Sequence, residues 1–280
     1  MRVSIVGLGL IGGSMALDLK AGGFAAEIIG VDAAPQHCEE ALDRRLVDEV
    51  LPLEQALQRS DIMVLAVPVQ HIVQMLPAIL DQVTGQTVID VGSTKQMATD
   101  SVRDHPNRPN YVATHPMAGT EFSGPAAAIP ELFKGKVTIF CDVELSSDNA
   151  ISNTTALYDC LGMPIIEMNS RDHDLHAAYV SHISHISSFA LALTVLKKEK
   201  DTENIFNLAS GGFDSTVRLA KSSAAMWTPI FTQNAENVLN VLDTYIRELK
   251  QFREAIEQHN AEALDQFILE ANKIRRILKG

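Results

Sequence analysis

Cysteine is scarce: the three residues at positions 38, 141 and 160 are too few and too scattered for a disulfide framework, and no CxxC pair offers zinc-site spacing. Basic residues are scarce too. Against 35 Asp and Glu stand 23 Lys and Arg, a formal charge of −12, and no basic run could track a phosphate backbone. Nucleic acid is therefore excluded as a partner. No stretch approaches the roughly 18 to 20 uninterrupted apolar residues that span a bilayer. The apolar N-terminus, MRVSIVGLGLIGG, is broken by glycines and lacks a small-residue cleavage site, so it reads as a first strand and not a signal peptide. These shortages predict a soluble, cytoplasmic protein with no membrane contact.

What is present is an ordinary 46% of hydrophobic residues in 280, enough for a sizeable core. Apolar runs rich in Val and Ile recur at 3–6, 28–31, 62–67, 87–91, 111–113 and 137–140. Helical spacing fills the gaps between the early runs, as in Leu10 to Ala21, Gln36 to Arg44 and Gln70 to Val83, and this alternation predicts parallel βαβ units. A last α/β unit spans Ala150 to Leu161 and Pro164 to Glu167. From Asp172 to Lys279 the periodicity is helical, with one proline, at 229. The expected fold is an α/β Rossmann-type dinucleotide-binding domain, residues 1–168, followed by an all-α domain, residues 169–280. Along the last segment Val238, Leu239, Leu242, Tyr245, Ile246, Leu249 and Phe252 form an apolar stripe, which either packs within the monomer or builds a homodimer interface.

Gly7-Leu8-Gly9-Leu10-Ile11-Gly12 follows a strand and opens a helix, the context in which GxGxxG becomes a dinucleotide fingerprint. Gly7 permits the tight turn, Gly9 lets backbone approach a pyrophosphate, and Gly12 allows the helix to pack closely on the strand. Asp32 ends the second strand, where a carboxylate receives ribose hydroxyls and repels a 2′-phosphate; Ala33-Ala34-Pro35-Gln36 follows without a cation, so NAD is favoured over NADP. Val67 and Pro68 close the next strand beside the same crevice. Ser93, in Asp90-Val91-Gly92-Ser93-Thr94-Lys95, reaches the nicotinamide end or caps a helix near Lys95.

His115, in His115-Pro116-Met117-Ala118-Gly119-Thr120-Glu121, lies at the same edge and has the chemistry of a base with a near-neutral pKa. In these motifs, together with His173-Asp174, Ser181-His182-Ile183-Ser184-His185, and Ser210-Gly211-Gly212-Phe213 followed by Arg218 and Trp227, the chain resembles the prephenate and arogenate dehydrogenase family over essentially its whole length. The resemblance implies an NAD-dependent oxidative decarboxylation of prephenate in tyrosine biosynthesis, or of arogenate, and a helical domain that dimerises. It implies His115 as catalytic base and Ser93 as its hydrogen-bonding neighbour. It implies His182, Arg218, Glu121, Gly211 and Trp227 at the substrate, with Arg218 on a carboxylate, Glu121 shaping the pocket and Trp227 packing at its rim. Three or four convergent metal ligands are not evident, and the expected reaction needs none. Against this stand a β-hydroxyacid-type dehydrogenase, which would use a Lys or Asp base, and an NAD-binding sensor without catalysis.

Overall fold

Runs of apolar residues without polar alternation belong in a sheet covered on both faces, and the computed structural model, which describes residues 1–199 and 210–277, places them there. The strands are β1 (Arg2–Val6), β2 (Glu27–Val31), β3 (Glu49–Val50), β4 (Ile62–Leu65), β5 (Thr87–Asp90), β6 (Tyr111–Pro116), β7 (Thr138–Cys141) and β8 (Ile165–Met168). Their order is β3-β2-β1-β4-β5-β6-β7-β8, parallel throughout except for the antiparallel pair β6 and β7. Side chains alternate between the two faces. Val3, Ile5, Ile62 and Val64 pack with Met15, Leu19 and Leu157 on one side; Ile29, Met63, Leu65 and Val88 pack with Leu57, Ile72 and Leu76 on the other.

The covering helices are α1 (Leu10–Ala21), α2 (Pro35–Asp43), α3 (Leu53–Arg59), α4 (Val69–Leu80), α5 (Gln96–Ser101) and α6 (Asp148–Cys160). Two details depart from the sequence expectation. Strand β3 has two residues and so carries no periodicity to read. Strand β6 runs on to Pro116 instead of stopping at Ala113, because β7 pairs along it and sets His115 opposite Ile139.

At the ligand-facing end of β5 the core turns polar. Asp90 and Lys95 are both fully buried and form an ion pair. Lys95 Nζ also donates to the Thr114 carbonyl at 2.7 Å, while Asp90 accepts from Tyr111 OH at 2.7 Å and from the Gly92 amide at 2.9 Å. A buried pair of this kind is tolerated only when its remaining donors and acceptors are met.

Beyond β8 the described residues are helical. Asn169 caps α7 (Ser170–Ala177) by accepting the Asp172 amide at 2.8 Å, and a π-helical turn, Ala178–His182, joins it to α8 (Ile183–Glu199). This run, Ser170–Glu199, has the length and mean hydropathy, 1.3 over 18 residues, of a helix able to cross a membrane; the sequence expectation, framed on uninterrupted apolar runs, passed over it because Ser and His punctuate it. Helices α9 (Gly211–Val217) and α10 (Ala224–Gln233) follow. Residues 200–209 and 278–280, part of the expected helical region, lie outside the described residues.

Two compact units result, residues 1–234 and 235–280. The second contains α11 (Ala235–Glu257) and α12 (Ala261–Ala271), pinned by Phe252 against Phe267 with ring centroids 5.3 Å apart. Leu239, Ile246 and Leu249 of the expected stripe are exposed.

Replacing Lys95 strands the Asp90 carboxylate in the sheet core. Lys95→Ala should cost about 3 to 5 kcal/mol in urea unfolding followed by circular dichroism; a loss below about 1 kcal/mol would mean that Asp90 finds another cation or water.

Candidate active site

The strand order reverses between β1 and β4, and ligands of open α/β sheets sit beyond the carboxyl ends of strands at such a point. Gly7 leaves β1 with φ +97°, and a Cβ there would stand 2.4 Å from the Ala66 carbonyl oxygen; one on Gly12 would stand 2.0 Å from that of Gly7. Gly9 is different. A Cβ on it would meet nothing nearer than the Gly124 amide at 3.9 Å, so the space over the N-terminus of α1 is open. No side chain caps that helix and its first turn holds no acid, which leaves the Leu10 and Ile11 amides directed at an anion. This is the cradle a pyrophosphate needs.

Asp32 is held rigidly beside it. Its carboxylate accepts the Leu8 amide at 2.8 Å and the Ala34 amide at 2.9 Å, and His37 Nδ1 lies 3.3 Å away. The Leu8 amide is thus turned to Asp32. Ala34, not Asp32, occupies the cap position of α2. Val67, half-buried, and Pro68, exposed, form the corner between β4 and α4.

His115 sits near the end of β6 and is 9% exposed. Its Nδ1 lies 2.8 Å from His173 Nε2, and His173 Nδ1 lies 2.8 Å from Asp174 Oδ1. The same Asp174 carboxylate accepts the Lys95 amide at 2.7 Å and the Gln96 amide at 3.0 Å, capping α5 from 79 and 78 residues away. The expected cap, Ser93, is half-buried in the loop ahead of α5 and bonds to no described residue. Burial pushes the His115 pKa well below the ordinary histidine range, reinforced by the Lys95 ammonium and by any proton that His173 or His182 takes up. The near-neutral value expected from sequence is corrected accordingly: the desolvation of a strand-borne histidine was not visible there.

His182 and His185 take different roles. Asn234 Nδ2 donates to the Asp174 carbonyl at 2.6 Å and to His182 Nδ1 at 3.2 Å, which leaves the His182 proton on Nε2. Burial lowers the His182 pKa to about 4, so it is a neutral donor. His185 stacks on Trp227 at 3.5 Å and bonds the Ser181 carbonyl. Trp227 is buried, edge-on to His182 at 5.9 Å, and its indole N–H has no acceptor among the described residues.

Arg218 is half-exposed and bonds Glu121 Oε2 at 3.3 Å across 97 residues. The alternative partner, Asp214, pairs with Lys221 at 3.0 Å. Gly211 opens α9 on the surface, with nothing within 4 Å of where a Cβ would stand. The structure therefore gathers His115 and His182 in one buried cluster and joins Arg218 to Glu121; it brings Gly211 into contact with neither. Sequence reasoning missed Asp174, His173, Lys95 and Asn234, for which the only signals were the His-Asp pair and the lysine closing DVGSTK. Among the described residues no three His, Cys, Asp or Glu side chains form a metal-holding group.

Residues 15–167 match the family model described as prephenate dehydrogenase, nucleotide-binding domain, and residues 169–279 that of the prephenate dehydrogenase dimerization domain. Prephenate dehydrogenase of Bacillus subtilis is 31% identical over 98% of this chain and 75% of its own length. Cyclohexadienyl dehydrogenase of Zymomonas mobilis is 31% identical over 99% of this chain and 96% of its own. Among solved structures, prephenate dehydrogenase from Aquifex aeolicus with hydroxyphenyl propionate and NAD+ superposes with a TM-score of 0.86 at 29% identity, covering 99% of this chain and 97% of that one. Synechocystis arogenate dehydrogenase gives 0.76 at 28%, covering 99% of each.

Two predictions rest on this geometry. An unfolded His182 takes up a proton as pH falls through 6.5, whereas the folded one stays neutral to about 4, so the stability tied to its burial is full above pH 6.5 and is lost between the two. Urea midpoints should fall across that window by an amount on the order of 3 kcal/mol in stability, and His182→Gln should flatten the slope; an unchanged slope in the variant refutes this. A carboxylate at Asp32 should disfavour a 2′-phosphate by about 1 to 3 kcal/mol, read as the ratio of kcat/KM for NAD over NADP. Equal values for both would overturn the ribose assignment.

Proposed function

The chain belongs to the prephenate dehydrogenase family, and from that premise we propose that it converts prephenate and NAD to 4-hydroxyphenylpyruvate, carbon dioxide and NADH. The observation that carries this reading is His115: a buried, neutral imidazole beside the dinucleotide crevice, with Nδ1 held by His173 and Nε2 bonded to no described residue. His115 Nε2 accepts the proton of the ring hydroxyl, and Ser93, carried over from the family motif, bonds the same oxygen. NAD, when bound, is the two-electron acceptor. Loss of the ring carboxylate then yields an aromatic product, which makes the step irreversible.

Prephenate brings two carboxylates to an acidic chain, and the cations are placed unequally. His182, neutral with its proton on Nε2, offers a hydrogen bond without charge. Arg218 offers a planar charged fork, and Glu121, which holds it in the free protein, gives it up when a substrate carboxylate arrives. Trp227 forms an apolar wall beneath His182, and Gly211 leaves its side of the entrance open. Residues 1–168 carry the cofactor and 169–280 the substrate contacts and the homodimer. The dimerization-domain match and the exposed apolar residues of α8, α11 and α12, including Leu193, Leu196, Leu249 and Leu269, support that assembly. The protein works in the cytoplasm, where its substrate and NAD are found together.

Arogenate is the second reading, favoured by the likeness to the Synechocystis arogenate dehydrogenase and the Zymomonas cyclohexadienyl dehydrogenase. The two substrates differ only in a keto or amino group on the side chain. NADH formation followed by absorbance with each substrate separates them, and no NADH with either would leave a binding protein without catalysis.

His115→Asn should lower kcat about 100-fold to 10,000-fold with little change in KM, since the base acts only as the proton departs. Arg218→Ala should raise KM chiefly, by about 1.5 to 3 kcal/mol, because its carboxylate is already present in the ground state. Near-native turnover in His115→Asn would remove His115 from the mechanism.

A further inference from the structure

We propose that His173 and Asp174 are positioning residues that fix the tautomer of His115, placing its proton on Nδ1 and keeping Nε2 as the base. The proposal rests on His115 being the base, and it is carried by three buried side chains in one line of hydrogen bonds.

The direction of each bond follows from its partners. Asp174 accepts two backbone amides, one on each oxygen. Its Oδ1 is the acceptor in the 2.8 Å contact with His173 Nδ1 as well, which puts a proton on that nitrogen. With that proton on Nδ1, His173 Nε2 presents its lone pair, and the 2.8 Å contact with His115 Nδ1 places the shared proton on His115 Nδ1. Nε2 of His115 is left bare. A second proton on His173 would reverse the last bond and protonate His115 Nε2, but it would place a cation against an imidazole already faced by the Lys95 ammonium and by His182.

The chemistry balances without a further reactant. The substrate O–H bond breaks and the His115 Nε2–H bond forms, while Nδ1–H stays in place and donates to His173 more strongly as the ring becomes cationic. Asp174 lies at the end of this line and lowers the cost of the positive charge, as a carboxylate behind a catalytic imidazole does elsewhere. It also caps α5, directly after the loop that carries Ser93, so one carboxylate fixes both the base and the hydroxyl-bonding serine.

The first test reads the tautomer itself. Long-range proton–nitrogen correlation spectra of the full-length protein labelled with 15N-histidine, with His115 assigned by its loss in His115→Asn, should show His115 and His173 both protonated on Nδ1. This readout needs no substrate, so it stands even if prephenate proves to be the wrong one; His115 protonated on Nε2 would overturn the proposal. The second test is kinetic. In Asp174→Asn the amide can donate to His173 Nδ1 and force the opposite tautomer, so kcat should fall on the order of 100-fold to 10,000-fold while the NAD dissociation constant changes by less than about threefold. Because that variant also loses an amide acceptor and can fail to fold, His173 supplies a second pair. His173→Gln can donate to Asp174 and accept from His115, and it should turn over at least about tenfold faster than His173→Leu; equal rates for the two would refute the positioning role.

Discussion

The Asp174 carboxylate ties the helical region to the loop and helix that follow β5. Its two oxygens close the N-terminus of α5, its Oδ1 also meets His173, and its main-chain carbonyl takes the Asn234 amide that bonds His182. A buried anion is costly unless it is paired or fully bonded, and here the free amides of a helix terminus supply both the bonds and a favourable dipole. Because the carboxylate is committed on several sides, the positions of α5, α7 and the asparagine after α10 cannot be chosen independently. The site inherits its geometry from that constraint.

Charge in this molecule is sorted by depth. In the interior, Lys95 and Asp90 cancel each other, and His115 and His182 are held neutral by desolvation. Closer to solvent, Arg218 keeps its charge against Glu121. This arrangement suits an acidic chain whose ligands are themselves anions. Interior groups contribute hydrogen bonds and a proton acceptor, while the long-range attraction for a carboxylate is left to a guanidinium that water can reach.

Local features were legible in the sequence and distant pairings were not. The glycine loop, Asp32 and the apolar strands are contiguous patterns whose physical meaning is nearly context-free, and the structure places each where the pattern puts it. His115 could be located at a strand end but its pKa could not, since burial depends on β7 pairing alongside it. The cap of α5 could not be read at all: a serine stands at the expected position, yet the acceptor comes from another helix. Likewise Arg218 could have bonded Asp214 one turn away, and its bond to Glu121 arises from tertiary folding alone. Residue type set what each group could do; the fold decided with whom.

The π-helical turn at Ala178–His182 separates two stretches of one continuous helix. Such a turn contains one residue more than the α-helix needs, so everything after it is rotated by roughly 100° relative to an uninterrupted path. His173 and Asp174 lie before it, while Ser184, His185 and Ser188 lie after it. Removing one residue from this turn would restore an ordinary helix and swing Ser184, His185 and Ser188 by about that angle about the axis relative to Asp174, so the spacing of the segment, and not only its composition, fixes which side chains share a face.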